Sequence, residues 1–204
     1  MNKRLLLVFA RTPQLGKVKT RLARTLGEHQ ALQIYKQLLH LTHAAAAPVK
    51  ATKWICYSDE VPAEADIWSA GSFLPQEQPQ VPDLGYRMHS LFAKGLVEGF
   101  SPVVIIGSDC PDISPEIIEE AFRQLETHDV VLGPAQDGGY YLLGLNFLVP
   151  ELFTSIPWST AEVLPATLQA ASNLHLKVAQ LQVLADVDEA EDLQQWPLLL
   201  HPVA

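Results

Sequence analysis

At 204 residues, with 48% apolar and 18% charged residues, the chain has the balance of a globular protein in one domain, 1–204, and not that of a disordered polymer. Its formal net charge of −9 argues against tracking of a nucleic-acid backbone, because proteins that do so gain affinity by neutralising phosphates with Lys and Arg. Cys56 and Cys110 lie outside any CxxC or Cys/His cluster, so neither a disulfide framework nor a zinc or iron-sulfur pattern is indicated.

In chain order, the apolar run Leu5 to Ala10 is too short for a signal peptide or a membrane span and is stopped by Arg11, so a cytoplasmic location is expected. Arg4 to Phe9 reads as a buried strand. Glu28 to Ala47 places Leu32, Tyr35, Leu38, Leu39 and Thr42 at helical spacing, and Pro48 closes it. Lys53 to Tyr57 reads as a second strand, and Ser58 to Gln80, interrupted by Pro62, Pro75 and Pro79, as loop. An amphipathic helix is expected from Leu84 to near Gly99, a buried strand at Val103 to Ile106, and a helix from Pro115 to about Glu126 behind an Ser114 cap. Val130 to Leu132 and Tyr140 to Leu145 read as strands, Leu164 to Ala171 as helix, Leu176 to Val178 as strand and Glu189 to Gln195 as a short helix.

Strands separated by helical stretches predict mainly parallel pairing through right-handed crossovers, hence a layered α/β fold with helices on both faces. Ligands in such folds bind beyond the carboxyl ends of the strands. Four segments fall there. Phe9 to Leu22 carries Arg11, Lys17, Lys19 and Arg21 with Gly16, but Gly16-Lys17 is followed by Val18, so neither a Walker A loop nor a dinucleotide fingerprint is present. Its backbone N–H groups with Arg11, Lys19 and Arg21 suit a di- or triphosphate; the alternative is a solvated basic loop. Gly107 to Asp112 sets Asp109 and Asp112 after a buried strand, as hard ligands for Mg²⁺ or Mn²⁺ or as turn and helix-flanking residues. Asp137-Gly138-Gly139 reads as a hairpin turn. Asp186 to Leu193 is an acidic cluster opening a helix, which can simply answer the helix dipole.

Together these segments resemble a bacterial glycosyltransferase-like family with the nucleotide-diphospho-sugar transferase (GT-A-like) fold, often left as a domain of unknown function and linked in some members with arsenosugar biosynthesis. The matching stretches are FARTPQLGKVKTRLA (Phe9 to Ala23), PDLGYRM (Pro82 to Met88), IGSDCPDISPE (Ile106 to Glu116), GPAQDGGYYLLGL (Gly133 to Leu145) and DVDEAEDL (Asp186 to Leu193). The resemblance implies a Rossmann-like, mixed but mainly parallel sheet. It implies nucleotide-binding residues Arg11, Gly16, Lys19, Thr20, Arg21, Asp83 and Arg87, and acceptor or sugar contacts at Gly138, Gly139 and Tyr140. In the wider superfamily one aspartate after a central strand and one near the C-terminus hold the metal, which maps here onto Asp109 and Asp188, with Asp186 in reserve. Glu189-Ala190 stands where that wider pattern has Thr-Pro, and the paired glycines of molybdenum-cofactor guanylyltransferases are absent.

The expected activity is therefore metal-dependent transfer of a glycosyl group from a nucleotide-diphospho-sugar to a small acceptor, with Mg²⁺ or Mn²⁺ on Asp109 and Asp188 and Asp137 as base. The alternatives are nucleotidyl transfer from a nucleoside triphosphate to a phosphorylated acceptor, releasing pyrophosphate, and a non-catalytic nucleotide-sugar sensor. Cys110 has no evident histidine base and is expected to be a small buried residue. Removing either metal aspartate is expected to leave the fold intact and to raise metal-free stability by relieving like-charge repulsion.

Overall fold

The structure, a computed structural model, describes residues 3–62, 66–69 and 72–200. Strands β1 (Lys3–Ala10), β2 (Thr52–Tyr57), β3 (Phe73–Glu77), β4 (Phe100–Ile106), β5 (Val130–Pro134), β6 (Tyr140–Leu145) and β7 (Val178–Gln180) form one sheet in the order β3-β2-β1-β4-β6-β5-β7. The helices are α1 (Thr20–Leu26), α2 (Glu28–Ala46), α3 (Leu84–Val97), α4 (Pro115–Gln124) and α5 (Val163–Asn173). All pairings are parallel except those of β6, which runs antiparallel to β4 on one side and to β5 on the other.

Strand β1 lies inside the sheet, and Leu5, Leu6, Leu7 and Val8 are all fully buried, which is why its sequence is continuously apolar and does not alternate. Leu5 and Leu7 pack with Met88, Leu91 and Phe92 of α3. Leu6 and Val8 pack on the other face with Tyr35 and Leu39 of α2 and with Ile118 and Phe122 of α4. Helices therefore cover both faces. At the start of α4 the Ser114 hydroxyl accepts the Ile117 N–H and Pro115 fills the first helical position, the arrangement its sequence predicts.

Four elements differ from the sequence reading. Helix α1 begins inside the basic segment and runs past its end: Leu22 is buried against Ile34 and Leu38 of α2, with Ala23 and Leu26 packed beside it, an apolar face that the preceding cations conceal. Strand β3 lies in the stretch read as loop, of which 63–65 and 70–71 are outside the described residues. Pro75 is tolerated because β3 is at the sheet edge, where a missing N–H costs no ladder bond. The strand expected at Leu176 to Val178 is shifted to Val178–Gln180. The helix expected from Glu189 is only a 3₁₀ turn at Asp192–Gln194, since the Asp192 carboxylate accepts the N–H groups of both Asp188 and Glu189 at 2.8 Å and closes the segment on itself. Among the described residues no helix is long and apolar enough to cross a membrane.

Candidate functional site

Beyond the carboxyl ends of β1 and β4 opens a cleft of about 680 Å³, within the usual volume of a small-molecule site. The antiparallel course of β6 brings its first residue to the same edge, with Leu142 opposite Ile106 of β4. The hairpin turn at Asp137-Gly138-Gly139 therefore hangs beside the loop that follows β4. The C-terminal segment completes the wall: Leu184 bridges Ala135, and the Val187 N–H donates to the Asp109 carbonyl at 3.0 Å. That backbone bond ties the two aspartate-bearing loops together.

On the opposite side the loop after β1 is fixed by Tyr35 of α2, whose hydroxyl accepts the Arg11 N–H at 2.8 Å and donates to the Arg11 carbonyl at 3.1 Å. Lys19, the residue preceding α1, has left-handed backbone angles (φ 47°, ψ 48°) and accepts the Ala23 N–H. This conformation is costly for a residue with a Cβ, and it turns the Lys19 side chain inward. Its ammonium bonds Asp109 Oδ1 at 2.5 Å and Asp188 Oδ1 at 3.0 Å, with only 6% of the side chain exposed. Burial alone would depress its pKa, but attraction by the two carboxylates overrides that and holds the ammonium charged. Arg21 stands 3.8 Å from the second oxygen of Asp188 and is 59% exposed.

Asp109 and Asp188 thus converge. Their carboxylates are 47% and 44% exposed, and because both bond one nitrogen their oxygens lie well inside the roughly 8 Å beyond which two carboxylates could not share an ion. Hard oxygen donors of this kind fit Mg²⁺ or Mn²⁺, with phosphate and water completing the shell. Among the described residues no group of three or more His, Cys, Asp or Glu is arranged to hold a metal by itself, so any ion here would depend on ligand oxygens for most of its shell.

Further along the cleft, Arg87 of α3 donates to Gln78 Oε1 at 3.1 Å, and Gln78 Nε2 donates to the Cys56 carbonyl at 2.8 Å. The Arg87 Nε is buried without a partner. Burial, aided by the nearby Arg11 charge, holds this guanidinium below its ordinary pKa. A positioned cation with an unused donor is suited to an oxygen-rich ligand.

The turn side carries the acids. Asp137 Oδ1 accepts the Gly139 N–H at 2.8 Å. Burial, then the neighbouring charges of Asp137 and Asp188, push Asp186 up from 3.8 to about 6. A group raised in the folded state contributes its stability below the unfolded value and loses it as pH rises through the folded one. Metal-free Asp186→Asn should therefore melt higher than the parent at pH 8, by about 1 kcal/mol after solvent screening is allowed for, and the gain should vanish near pH 4. Melting curves across that range check it; a gain that is the same at both ends would show that Asp186 ionisation is not involved.

Of the residues expected from the sequence, Arg11, Lys19, Thr20, Arg21, Arg87, Asp109, Asp137, Gly139, Tyr140 and Asp188 all line this cleft. Three do not. The Asp83 carboxylate caps α3 by accepting the Tyr86 N–H at 2.6 Å. Gly16 (φ +74°) faces the Glu28 carboxylate, and Gly138 (φ +90°) packs against the Ala161 backbone. Lys19, expected on phosphate, also lines the cleft, and in this structure its ammonium is paired with both aspartates. Asp112 accepts from Trp196 Nε1 at 3.0 Å, which makes it a structural acid. Cys110 is buried, and burial, then the nearby Asp186 and Asp109, push its thiol up, which disfavours the thiolate form. Gln78 and Tyr35 escaped the sequence reading; Tyr35 sat in a helix repeat as one more apolar position, and a lone glutamine carries no signal.

The family model described as uncharacterized protein conserved in bacteria, DUF2064, matches residues 40–160. A crystal structure from Desulfovibrio desulfuricans G20, provisionally described as a nucleotide-diphospho-sugar transferase, is 35% identical over 95% of this chain and 85% of that one, with a TM-score of 0.84. Similarity extends to the inositol-1-phosphate CTP transferase of T. maritima (14% identity, 98% and 96% covered, TM-score 0.60). It also extends to Rv0371c of Mycobacterium tuberculosis H37Rv in complex with manganese (13% identity, 98% of each chain, TM-score 0.54). At such identities these two show the fold alone, a nucleotide-diphospho-sugar transferase type of α/β sheet. No curated protein matches the sequence. The matched family model and the 35% identical homologue place the chain in the DUF2064 family of bacterial proteins.

Proposed function

We propose that the protein is a metal-dependent glycosyltransferase that takes a nucleotide-diphospho-sugar and a small acceptor in this cleft. The observation that supports it most is the meeting of Asp109 and Asp188 on one wall, with Arg11, Lys17, Thr20, Arg21 and Arg87 around them. Arg11 and Arg21 would bear the charge of the departing diphosphate, and Arg87, steadied by Gln78, would orient the nucleotide. Mg²⁺ or Mn²⁺ on the two aspartates would supply further neutralisation of that leaving group. Asp137 would accept the acceptor hydroxyl's proton, while Gly139 and Tyr140 shape the acceptor side. The 35% identical homologue, provisionally described as a nucleotide-diphospho-sugar transferase, supports the coarser reading of a transferase that uses a nucleotide sugar.

Nucleotidyl transfer is the second reading, favoured by the number of cations lining the cleft, which is more than a diphosphate requires. A thermal-shift series of nucleoside diphosphates, nucleotide sugars and nucleoside triphosphates, with and without Mn²⁺, should raise the melting temperature with at least one nucleotide sugar only when Mn²⁺ is present. Turnover then separates the two: release of a nucleoside diphosphate supports glycosyl transfer, and release of pyrophosphate replaces it with nucleotidyl transfer. No shift with any nucleotide would sink both.

A further inference from the structure

The Lys19 ammonium bonds one oxygen of each carboxylate, Asp109 Oδ1 and Asp188 Oδ1, in the place between the two aspartates that would hold a divalent ion. An ion about 2.0–2.6 Å from each of these oxygens would lie within contact distance of a second positive charge, so the two cations exclude each other by size and by Coulomb repulsion. Among the described residues the ammonium's only ion-pair partners are these two carboxylates. Asp186 also lines the cleft and feels the ammonium's charge, but it makes no ion pair with it, and the neighbouring side chains Lys17, Arg21 and Arg11 are cationic.

The geometry points to Lys19 as an exchangeable cation: it holds the place between Asp109 and Asp188 while the cleft is empty and moves onto incoming phosphates, so that a divalent ion enters only together with them. This inference rests on the assignment of the two aspartates to a metal under the proposed function. Phosphate oxygens held by Arg11, Lys17 and Arg21 supply a new counter-charge on the cationic side of the cleft, and the flexible four-carbon stem of a lysine allows a short transfer without movement of α1. The exchange also couples the two ligands, since each makes room or charge for the other. The substrate class implied is a metal–di- or triphosphate complex and not a free metal followed by a nucleotide.

The test uses Mn²⁺ alone and Mn²⁺ with inorganic pyrophosphate, with protein-bound Mn²⁺ read by electron paramagnetic resonance after dialysis. Wild-type protein should bind Mn²⁺ alone weakly and at least about tenfold more tightly when pyrophosphate is present. Lys19→Met should bind Mn²⁺ alone at least about tenfold more tightly than wild type, because no resident cation must leave, and should lose most of the pyrophosphate effect. Lys19→Gln, which keeps a donor without the charge, should behave alike if Lys19→Met is poorly folded. Equal Mn²⁺ affinity in wild type and both folded variants overturns the exchange. So does pyrophosphate binding to wild type that is the same in EDTA as in Mn²⁺, since the lysine would then hold the cation's place permanently. Adding Asp188→Asn to Lys19→Met should erase the gain. If tight Mn²⁺ binding persists there, the ion lies elsewhere and the two-aspartate assignment itself has failed.

Discussion

Asp109→Asn and Asp188→Asn should each abolish Mn²⁺-dependent nucleotide binding, or reduce turnover by about two to three orders of magnitude, the scale seen when one stabilising group is removed from a developing charge. The double variant should be no worse than either single one, because one shared ion can be lost only once. Isothermal calorimetry and steady-state kinetics on the three proteins decide this; losses that multiply would mean two independent sites. Metal-free stability is where the structure reverses the expectation drawn from sequence. Two adjacent acids alone would repel, and removing one would relieve the pair. Here Lys19 already lies between them, so either substitution leaves a buried ammonium with one partner fewer. Since both carboxylates are nearly half exposed, the cost should be about 1–2 kcal/mol, less than for a fully buried pair.

Gly138→Ala should be the most damaging single methyl addition at the site, destabilising the protein by about 2–4 kcal/mol. The backbone there has φ +90°, and an added Cβ would fall 2.6 Å from the Ala161 Cα, with the carbonyl carbon and oxygen of Ala161 also in contact. The Gly138 carbonyl further accepts the Leu164 N–H at 2.9 Å, which sets the start of α5. Relief of the clash must move the Asp137 turn away from the 158–161 wall, so turnover should fall about a hundredfold as well. Gly99→Ala provides the comparison, since Gly99 has φ +84° but nothing within 4 Å of the added atom. It should cost only about 1 kcal/mol, from backbone conformation. Equal melting temperatures for the two variants would show that the contact with Ala161 contributes nothing.

The aromatic wall facing that turn has the same dependence on close approach. Gly85 at the start of α3 lies where a Cβ would meet Trp158 Nε1 and the Phe153 carbonyl, each at 2.5 Å. Tyr140 and Trp158 meet edge to face at 6.3 Å. The glycine in PDLGYRM thus serves packing of the cleft wall, while Arg87 two residues later faces the cleft.

Local chemistry determined much of this molecule. The unbroken apolar run of β1 announces a strand covered on both faces, and Ser114-Pro115-Glu116 announces α4, because strand burial and helix capping are written within a few neighbouring residues. The segments that follow β1, β4 and β5 were legible as a cleft for the same reason: polar and glycine-rich residues interrupt apolar runs at the strand ends. What the tertiary structure alone decided is which charge meets which. Lys19 and Asp188 are 169 positions apart, and nothing near either one states that a left-handed turn at Lys19 will carry its ammonium between two aspartates. Asp83 and Asp112 resembled ligands as well as Asp109 did, yet the first caps a helix and the second holds Trp196. The identity of a carboxylate is local, whereas its partner depends on where the crossovers bring other loops, and electrostatic roles follow the partner.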